Sequence, residues 1–247
     1  MKNKTVCMYS IDSVIGEKTG GVKRFFELTR YLISIGYDVF LVSKDTEEDR
    51  KKIGVKGRTL NISSDKMTGL SVIKNNKETL RYIKKCKFDK VIVFDVRAAI
   101  SLTVYNISNI YLFLRQDLLS YKKIQLENKK MSDIKKFFVL RIMLFGEYLC
   151  LKKAKKIVVQ CKYDLDQLVI RHKIIKKQIK KKTVIQINNV NPSWIEKNKV
   201  ETEKQEKCQN YDLVFIGNFN DTRKGHSILL SALKELYEEG ENINTAI

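Results

Sequence analysis

Short apolar runs alternate with longer amphipathic stretches along most of the chain. Thr5–Tyr9 (TVCMY) predicts a first strand, and a loop over 11–21 (IDSVIGEKTGG) leads into a helix, VKRFFELTRYLISIG, in which Phe25, Leu28, Leu32 and Ile35 share one face. Gly36 ends that helix as a C-terminal cap, and 37–43 (YDVFLVS) predicts the next strand. Residues 58–62 predict a weak strand and 72–85 a basic helix. Lys90–Phe94 (KVIVF) predicts a strong strand with Asp95 at its C-terminal end, and Ile110–Leu114 (IYLFL) another, ending in Arg115, Gln116 and Asp117. A long basic and apolar helix over Asp133–Lys153 follows, then a strand at 157–160 (IVVQ), a short helix from about Asp164 to His172, and a strand at 183–187 (TVIQI). Helices between short apolar strands, with no hairpin turns, predict an α/β fold with a parallel, doubly wound sheet.

After Ile187 the pattern changes. Residues 188–210 hold the only Pro (Pro192), the only Trp (Trp194) and then a charged polar run, which reads as a linker. The expected organisation is a first domain over 1–188, a linker over 189–210, and the start of a second domain over 211–247. That last stretch opens with an apolar strand, 213–216, ended by Gly217. A polar basic loop follows, then a helix on which Leu229, Leu230, Leu233 and Leu236 recur at helical spacing. One strand and one helix cannot bury their own apolar faces, so this second domain is expected to be incomplete and to expose apolar surface.

Charge changes the picture more than hydropathy does. The 43% hydrophobic content over 247 residues describes a globular chain, while 48 Lys and Arg against 28 Asp and Glu leave a net charge of +20. Such a balance suits an anionic partner, either a membrane surface, a phosphorylated substrate or nucleic acid; a base-composition bias in the coding DNA accounts for it equally well. The aromatics do not interleave with basic residues as RNA-reading modules require, which counts against nucleic acid. Five cysteines, at Cys7, Cys86, Cys150, Cys161 and Cys208, include no CxxC pair and predict reduced thiols rather than a disulfide or zinc framework. The N-terminal apolar run is broken by Ser10 and Asp12, too short for a secretory signal, and no apolar run nears the roughly 20 residues of a spanning helix. A cytoplasmic protein is expected, soluble or peripheral on the inner face of the cell membrane.

Three groups are candidates for chemistry. Gly16, Gly20 and Gly21 follow the first strand, where open α/β sheets bind ligands. Val22 stands where a P-loop needs Lys, so a close-approach glycine turn or a packing turn remains. Arg115, Gln116 and Asp117 end a buried strand at the same sheet edge; taken alone, they are explained better by a helix cap with solvated charges than by chemistry. The loop with Arg223, Lys224 and Gly225 opens a helix, a natural phosphate site, or an ordinary strand-to-helix corner.

Together these elements resemble the family-four glycosyltransferases of the GT-B class, in which two Rossmann-like domains face each other across a cleft. The family's opening glycine pair and helix are similar to Gly20-Gly21-Val22-Lys23-Arg24 through Gly36-Tyr37-Asp38-Val39. Its "ADRIIVVS" stretch resembles Ala154-Lys155-Lys156-Ile157-Val158-Val159-Gln160-Cys161, and its "NGVD" loop resembles Asn188-Asn189-Val190-Asn191. Its donor-phosphate loop, "VGR…KG", resembles Ile216-Gly217-Asn218 through Lys224-Gly225. The four matches occur in the family's order over nearly the whole chain.

The resemblance implies a retaining transfer of a sugar from a nucleotide-diphosphate donor to a glycan or lipid-linked acceptor hydroxyl, in surface polysaccharide or lipopolysaccharide synthesis. Gly217, Asn218, Arg223, Lys224 and Gly225 would bind the donor phosphates without a metal or other cofactor, Gly20 and Gly21 would border the acceptor side, and Gln116 and Asp117 would lie near the donor sugar. Departures are also visible. Asn218 stands where the family has Arg, with Arg223 as the candidate replacement, and Gln116 stands where the family often has His. The family's Glu-x7-Glu segment falls beyond Ile247, so the resemblance implies a chain truncated in its C-terminal domain and inactive in transfer on its own. A non-catalytic module, kept for binding a membrane or a partner, is the alternative. For the membrane, Lys129, Lys130, Lys135 and Lys136 are the expected basic contacts, at one end of a helix on which Ile134, Phe138, Ile142 and Phe145 recur. Packing of that helix on the sheet accounts for the same pattern.

Overall fold

Val6, Cys7, Met8 and Tyr9 are all fully buried, as expected of β1 (Thr5–Tyr9), an interior strand of the protein's main sheet. The computed structural model describes residues 4–15, 20–62, 69–114, 117–127, 130–186, 212–214, 226–241, 243 and 245–246. The chain divides into two compact units, Met1–Asn188 and Asn189–Ile247. In the first, β1 is joined by β2 (Asp38–Ser43), β3 (Lys56–Thr59), β4 (Lys90–Phe94), β5 (Ile110–Leu114), β6 (Lys156–Val159) and β7 (Thr183–Ile185). They form one seven-stranded sheet in the order β3-β2-β1-β4-β5-β6-β7, parallel at every pairing. This is a doubly wound, Rossmann-like α/β fold.

Alternation along β1 assigns the two cores. Val6 and Met8 point to one face, with Phe25 and Leu32 of α1 (Gly20–Ser34), and Phe25 meets Phe94 edge-to-face at 4.9 Å. Cys7 and Tyr9 point to the other face. There Val72 of α3 (Gly69–Asn75), Leu80 and Ile83 of α4 (Lys77–Cys86) and Leu102 of α5 (Val96–Val104) close over them, after the short α2 (Glu47–Lys52). The same core takes in Leu151 of α7 (Asp133–Lys153), Leu168 of α8 (Lys162–Arg171) and Ile179 of α9 (Lys176–Lys182), with α6 (Leu118–Glu127) leading into α7. Among the described residues no helix is long and apolar enough to cross a membrane.

Three local differences from the expected pattern have physical causes. The stretch 72–85 is two helices, because Asn76 is buried between them. Its amide donates to the Asn61 and Val72 carbonyls and its Oδ1 accepts from the Asn61 N–H. Strand β3 begins at Lys56 rather than Arg58, because Gly57 pairs so tightly with β2 that a Cβ there would lie 1.8 Å from the Leu41 carbonyl oxygen. Helix α5 has no sequence periodicity to announce it, since Val96, Ala98, Ala99, Ser101 and Leu102 are buried almost all round its axis. Strand β7 ends at Ile185, and Ile187 lies outside the described residues.

In the second unit β8 (Leu213–Val214) pairs in parallel with β9 (Thr245–Ala246), and α10 (His226–Glu238) lies between them in sequence. Leu229, Leu233 and Leu236 are half-buried, whereas Ile228, Leu230 and Tyr237 are exposed, so this helix has no fully buried face among its described residues.

Candidate functional site at the sheet's carboxyl edge

The strand order reverses between β1 and β4, and the loops leaving these two strands diverge there. In open α/β sheets such a switch point forms a ready crevice for ligands. A buried aspartate organises each side of it.

On the β1 side the organiser is Asp45, two residues beyond β2. Its carboxylate accepts from the Ser13 hydroxyl at 2.5 Å, the Ser43 hydroxyl at 2.6 Å, and the backbone N–H groups of Val14 and Ile15 at 2.9 Å each. Its carbonyl oxygen accepts from Arg50 at 2.5 Å and from the Thr59 hydroxyl at 2.8 Å, which ties it to β3 as well. The loop is therefore clamped up to Ile15. Gly16 to Thr19 lie outside the described residues, and the chain re-emerges with Gly20 and Gly21 as the first residues of α1.

On the β4 side stands Asp95, buried, with φ 87° and ψ 142°. That conformation is nearly reserved for glycine and costs on the order of 1–3 kcal/mol for a residue with a side chain. Its surroundings enforce it. The Asp95 N–H donates to Phe113 on β5 at 2.9 Å, and its carboxylate caps α5 by accepting from the Arg97 N–H at 2.7 Å. The same carboxylate pairs with the Arg97 guanidinium at 3.0 and 3.1 Å. Beneath it the Tyr9 hydroxyl meets the Ser101 hydroxyl at 2.9 Å. Burial raises the Tyr9 phenol well above its ordinary range, so it remains a neutral hydroxyl.

A third cluster follows β5. Asp117 accepts from the Ser120 N–H at 3.1 Å and the Ser120 hydroxyl at 2.8 Å, and pairs with Arg171 at 2.5 Å. Arg171 reaches past it to both carboxylate oxygens of Glu147, at 3.2 and 3.3 Å, and Glu147 Oε2, which accepts from the Arg171 Nε, also meets His172 Nε2 at 2.7 Å. Leu114, Asp117, Glu147, Asp164, Leu168 and Arg171 line one shallow pocket between α7, α8 and the end of β5. Burial alone would raise the Asp117 pKa, but the Ser120 bonds and the Arg171 guanidinium outweigh it and hold the carboxyl below its usual range. A group with a depressed folded-state pKa stabilises fully above its unfolded value, about 3.9, and loses that contribution as pH falls through the folded value. Acid unfolding of wild type is therefore expected to steepen below about pH 4. Asp117→Asn should be less stable at neutral pH and should lose stability less steeply on acidification, as read by urea midpoints across pH.

Of the residues expected from sequence to carry function, the structure places Gly20 and Gly21 at the switch point and Asp117 in the charged cluster. Arg115, Gln116, Lys129, Gly217, Asn218, Arg223, Lys224 and Gly225 lie outside the described residues, as does the 189–210 linker. Lys130 and Lys135 are exposed, while Lys136 is mostly covered and pairs with Asp133 at 3.5 Å. Sequence reading missed Asp45, Glu147, Arg171 and His172. The one available signal was Glu147 itself, a lone acid inside the apolar run LFGEYLCL. Among the described residues no three or more His, Cys, Asp or Glu side chains gather as metal ligands. Cys7 and Cys150 are buried, and burial pushes the Cys150 thiol up to about 12; Cys86 and Cys161 are exposed.

No protein-family model matches the sequence, and no curated protein matches it by sequence. Solved structures do match by shape. The chain is similar to sucrose-phosphate synthase from Thermosynechococcus elongatus, with a TM-score of 0.59 at 13% identity over 95% of this chain and 60% of that one. It is also similar to a glycosyltransferase from Rickettsia africae ESF-5, with a TM-score of 0.50 at 19% identity over 96% of this chain and 58% of that one. The chain shares with these structures a Rossmann-like α/β fold. At these identities the likeness is one of fold, and the chain spans about three-fifths of the length of these two structures. The carboxyl edge of the main sheet is organised by Asp45, Asp95 and Asp117.

Proposed function

We propose that this chain belongs to a retaining glycosyltransferase and forms its acceptor-side domain with the beginning of the donor side. The reaction moves a sugar from a nucleotide-diphosphate donor to a hydroxyl of a glycan or lipid-linked acceptor, in surface polysaccharide or lipopolysaccharide synthesis. What supports this reading is the doubly wound, Rossmann-like sheet, similar in fold to glycosyltransferase structures, with the glycine pair Gly20-Gly21 at the start of the helix that follows β1. Without side chains there, an acceptor or a facing domain reaches the backbone at the start of α1. The clamp by Asp45 fixes the loop after β1 as far as Ile15. Asp117, held ionised by Ser120 and paired with Arg171, lies after β5 at the same edge, where the donor sugar would approach.

Departure of the nucleoside diphosphate is the charge-developing step. Lys224, Arg223 and the backbone N–H groups around Gly217, Asn218 and Gly225 stabilise it without a metal. The test is titration of the chain with UDP, GDP and ADP. One of these is expected to bind, and Lys224→Ala to weaken that binding by about tenfold or more, the value of a charge-assisted hydrogen bond to phosphate. Absence of binding by all three, or binding indifferent to Lys224→Ala, would favour a non-catalytic module built on the same fold.

A further inference from the structure

Helix α7 is apolar on two sides, and the sheet uses only one of them. Its inner side buries Gly146, Glu147, Cys150 and Leu151. Its outer side leaves Ile134 71%, Phe137 54%, Phe138 60%, Ile142 70% and Phe145 61% exposed. At 3.6 residues per turn these five fall within an arc of about 140°, so they form one continuous stripe rather than scattered surface residues. A stripe of three phenylalanines and two isoleucines left to water is costly, and something of matching chemistry is expected to cover it.

The charges on the helix decide what that is. Arg141 lies within the stripe with its guanidinium 4.9 Å from the Phe137 ring centre, Lys135 flanks the stripe, and Lys152 and Lys153 extend it towards the C-terminus. The helix has only two acids. Asp133 is paired with Lys136, and Glu147 is turned inward to Arg171 and His172. Long basic side chains that rise beside bulky apolar ones suit a surface whose interior is apolar and whose rim is anionic. A second copy of this chain, also carrying +20, would bring Arg141 and its neighbours against like charge.

We infer that the outer face of α7 seats the protein on an anionic membrane surface, with Phe138, Ile142 and Phe145 in the acyl boundary and Lys135, Arg141 and Lys152 at the headgroups. This goes beyond the transferase reading and stands independently of it, because it is measured without any nucleotide. The experiment is co-sedimentation with phosphatidylcholine vesicles, with and without phosphatidylglycerol. Wild type is expected to bind the anionic vesicles, to bind neutral ones weakly, and to lose binding as salt rises. Phe138→Ser with Ile142→Ser should reduce binding by about tenfold or more while leaving circular dichroism and Tm unchanged, since neither side chain packs inward. Should that pair of substitutions unfold the protein, Lys135→Glu with Arg141→Glu is the second variant, expected to abolish the anionic preference in a folded chain. Equal binding to both vesicle types overturns the inference, as does anionic binding undiminished by the serine variant. A wild-type dimer in sedimentation velocity that the serine pair dissolves also overturns it, by assigning the stripe to a second copy.

Discussion

Arg171→Met is expected to destabilise the first unit by about 3–5 kcal/mol, the usual effect of removing one partner from a buried ion pair. Among the described residues Arg171 is the one guanidinium between Asp117 and Glu147, and both it and Glu147 are largely shielded from solvent. Without it His172 is the partner left to Glu147 among the described residues, and the buried carboxylate loses its guanidinium. The reverse substitution separates charge from packing. Glu147→Gln combined with Arg171→Met should recover part of the loss, because the uncompensated buried charge is then gone and the methionine retains most of the apolar stem. Urea midpoints for the two single variants and the double variant measure this directly. A loss below about 1 kcal/mol for Arg171→Met would mean that the cluster behaves as a surface ion pair.

The second large effect is expected at Asp45. Asp45→Ala removes the acceptor for two backbone N–H groups and two hydroxyls at once, with Val14 and Ser43 among the buried donors. Even one unsatisfied buried donor costs about 1–3 kcal/mol, so a loss of about 3 kcal/mol or more is expected for the set. The more telling readout is local. Amide exchange at Val14 and Ile15 should accelerate far more than at Met8 or Ile92, because the loop loses its clamp while the sheet keeps its ladder. Asp45→Asn, which keeps one oxygen acceptor, should fall between. Uniform acceleration across the sheet would show that Asp45 supports global stability and not the shape of the loop.

How much of this was legible in the sequence depends on what held each part together. Strands β1, β2, β4 and β5 are read almost to the residue, because strands buried on both faces appear as unbroken apolar runs. Helix α1 is read equally well, since only one side of it is buried. Helix α5 defeats the same reasoning, because a helix enclosed on nearly every side has no polar face to set a period. The charged cluster is invisible for a different reason. Asp117 and Arg171 lie 54 residues apart and Glu147 sits between them on a third element, so no local pattern brings them together. Asp117 was legible only as a polar residue at a strand end, and Asp45 not at all, since its partners come from the preceding loop and strand. For α7 the sequence shows apolar residues on more than one side, but only the packing of Glu147, Cys150 and Leu151 reveals which side is left uncovered.

The position of β1 between β2 and β4 also sets a timetable. Thr5 donates to Asp89, 84 residues away, as the register of β1 against β4 begins. The first neighbour, β2, follows soon after α1, but the second cannot exist until residue 90 has been made. At ordinary rates of translation that interval is on the order of ten seconds. Throughout it the nascent strand Val6–Tyr9 has one open edge, and α5, which supplies part of the cover over Cys7 and Tyr9, has not been made. The crevice between β1 and β4 consequently cannot form before β4 is made, and a ribosome paused short of residue 90 would hold β1 with one edge unpaired.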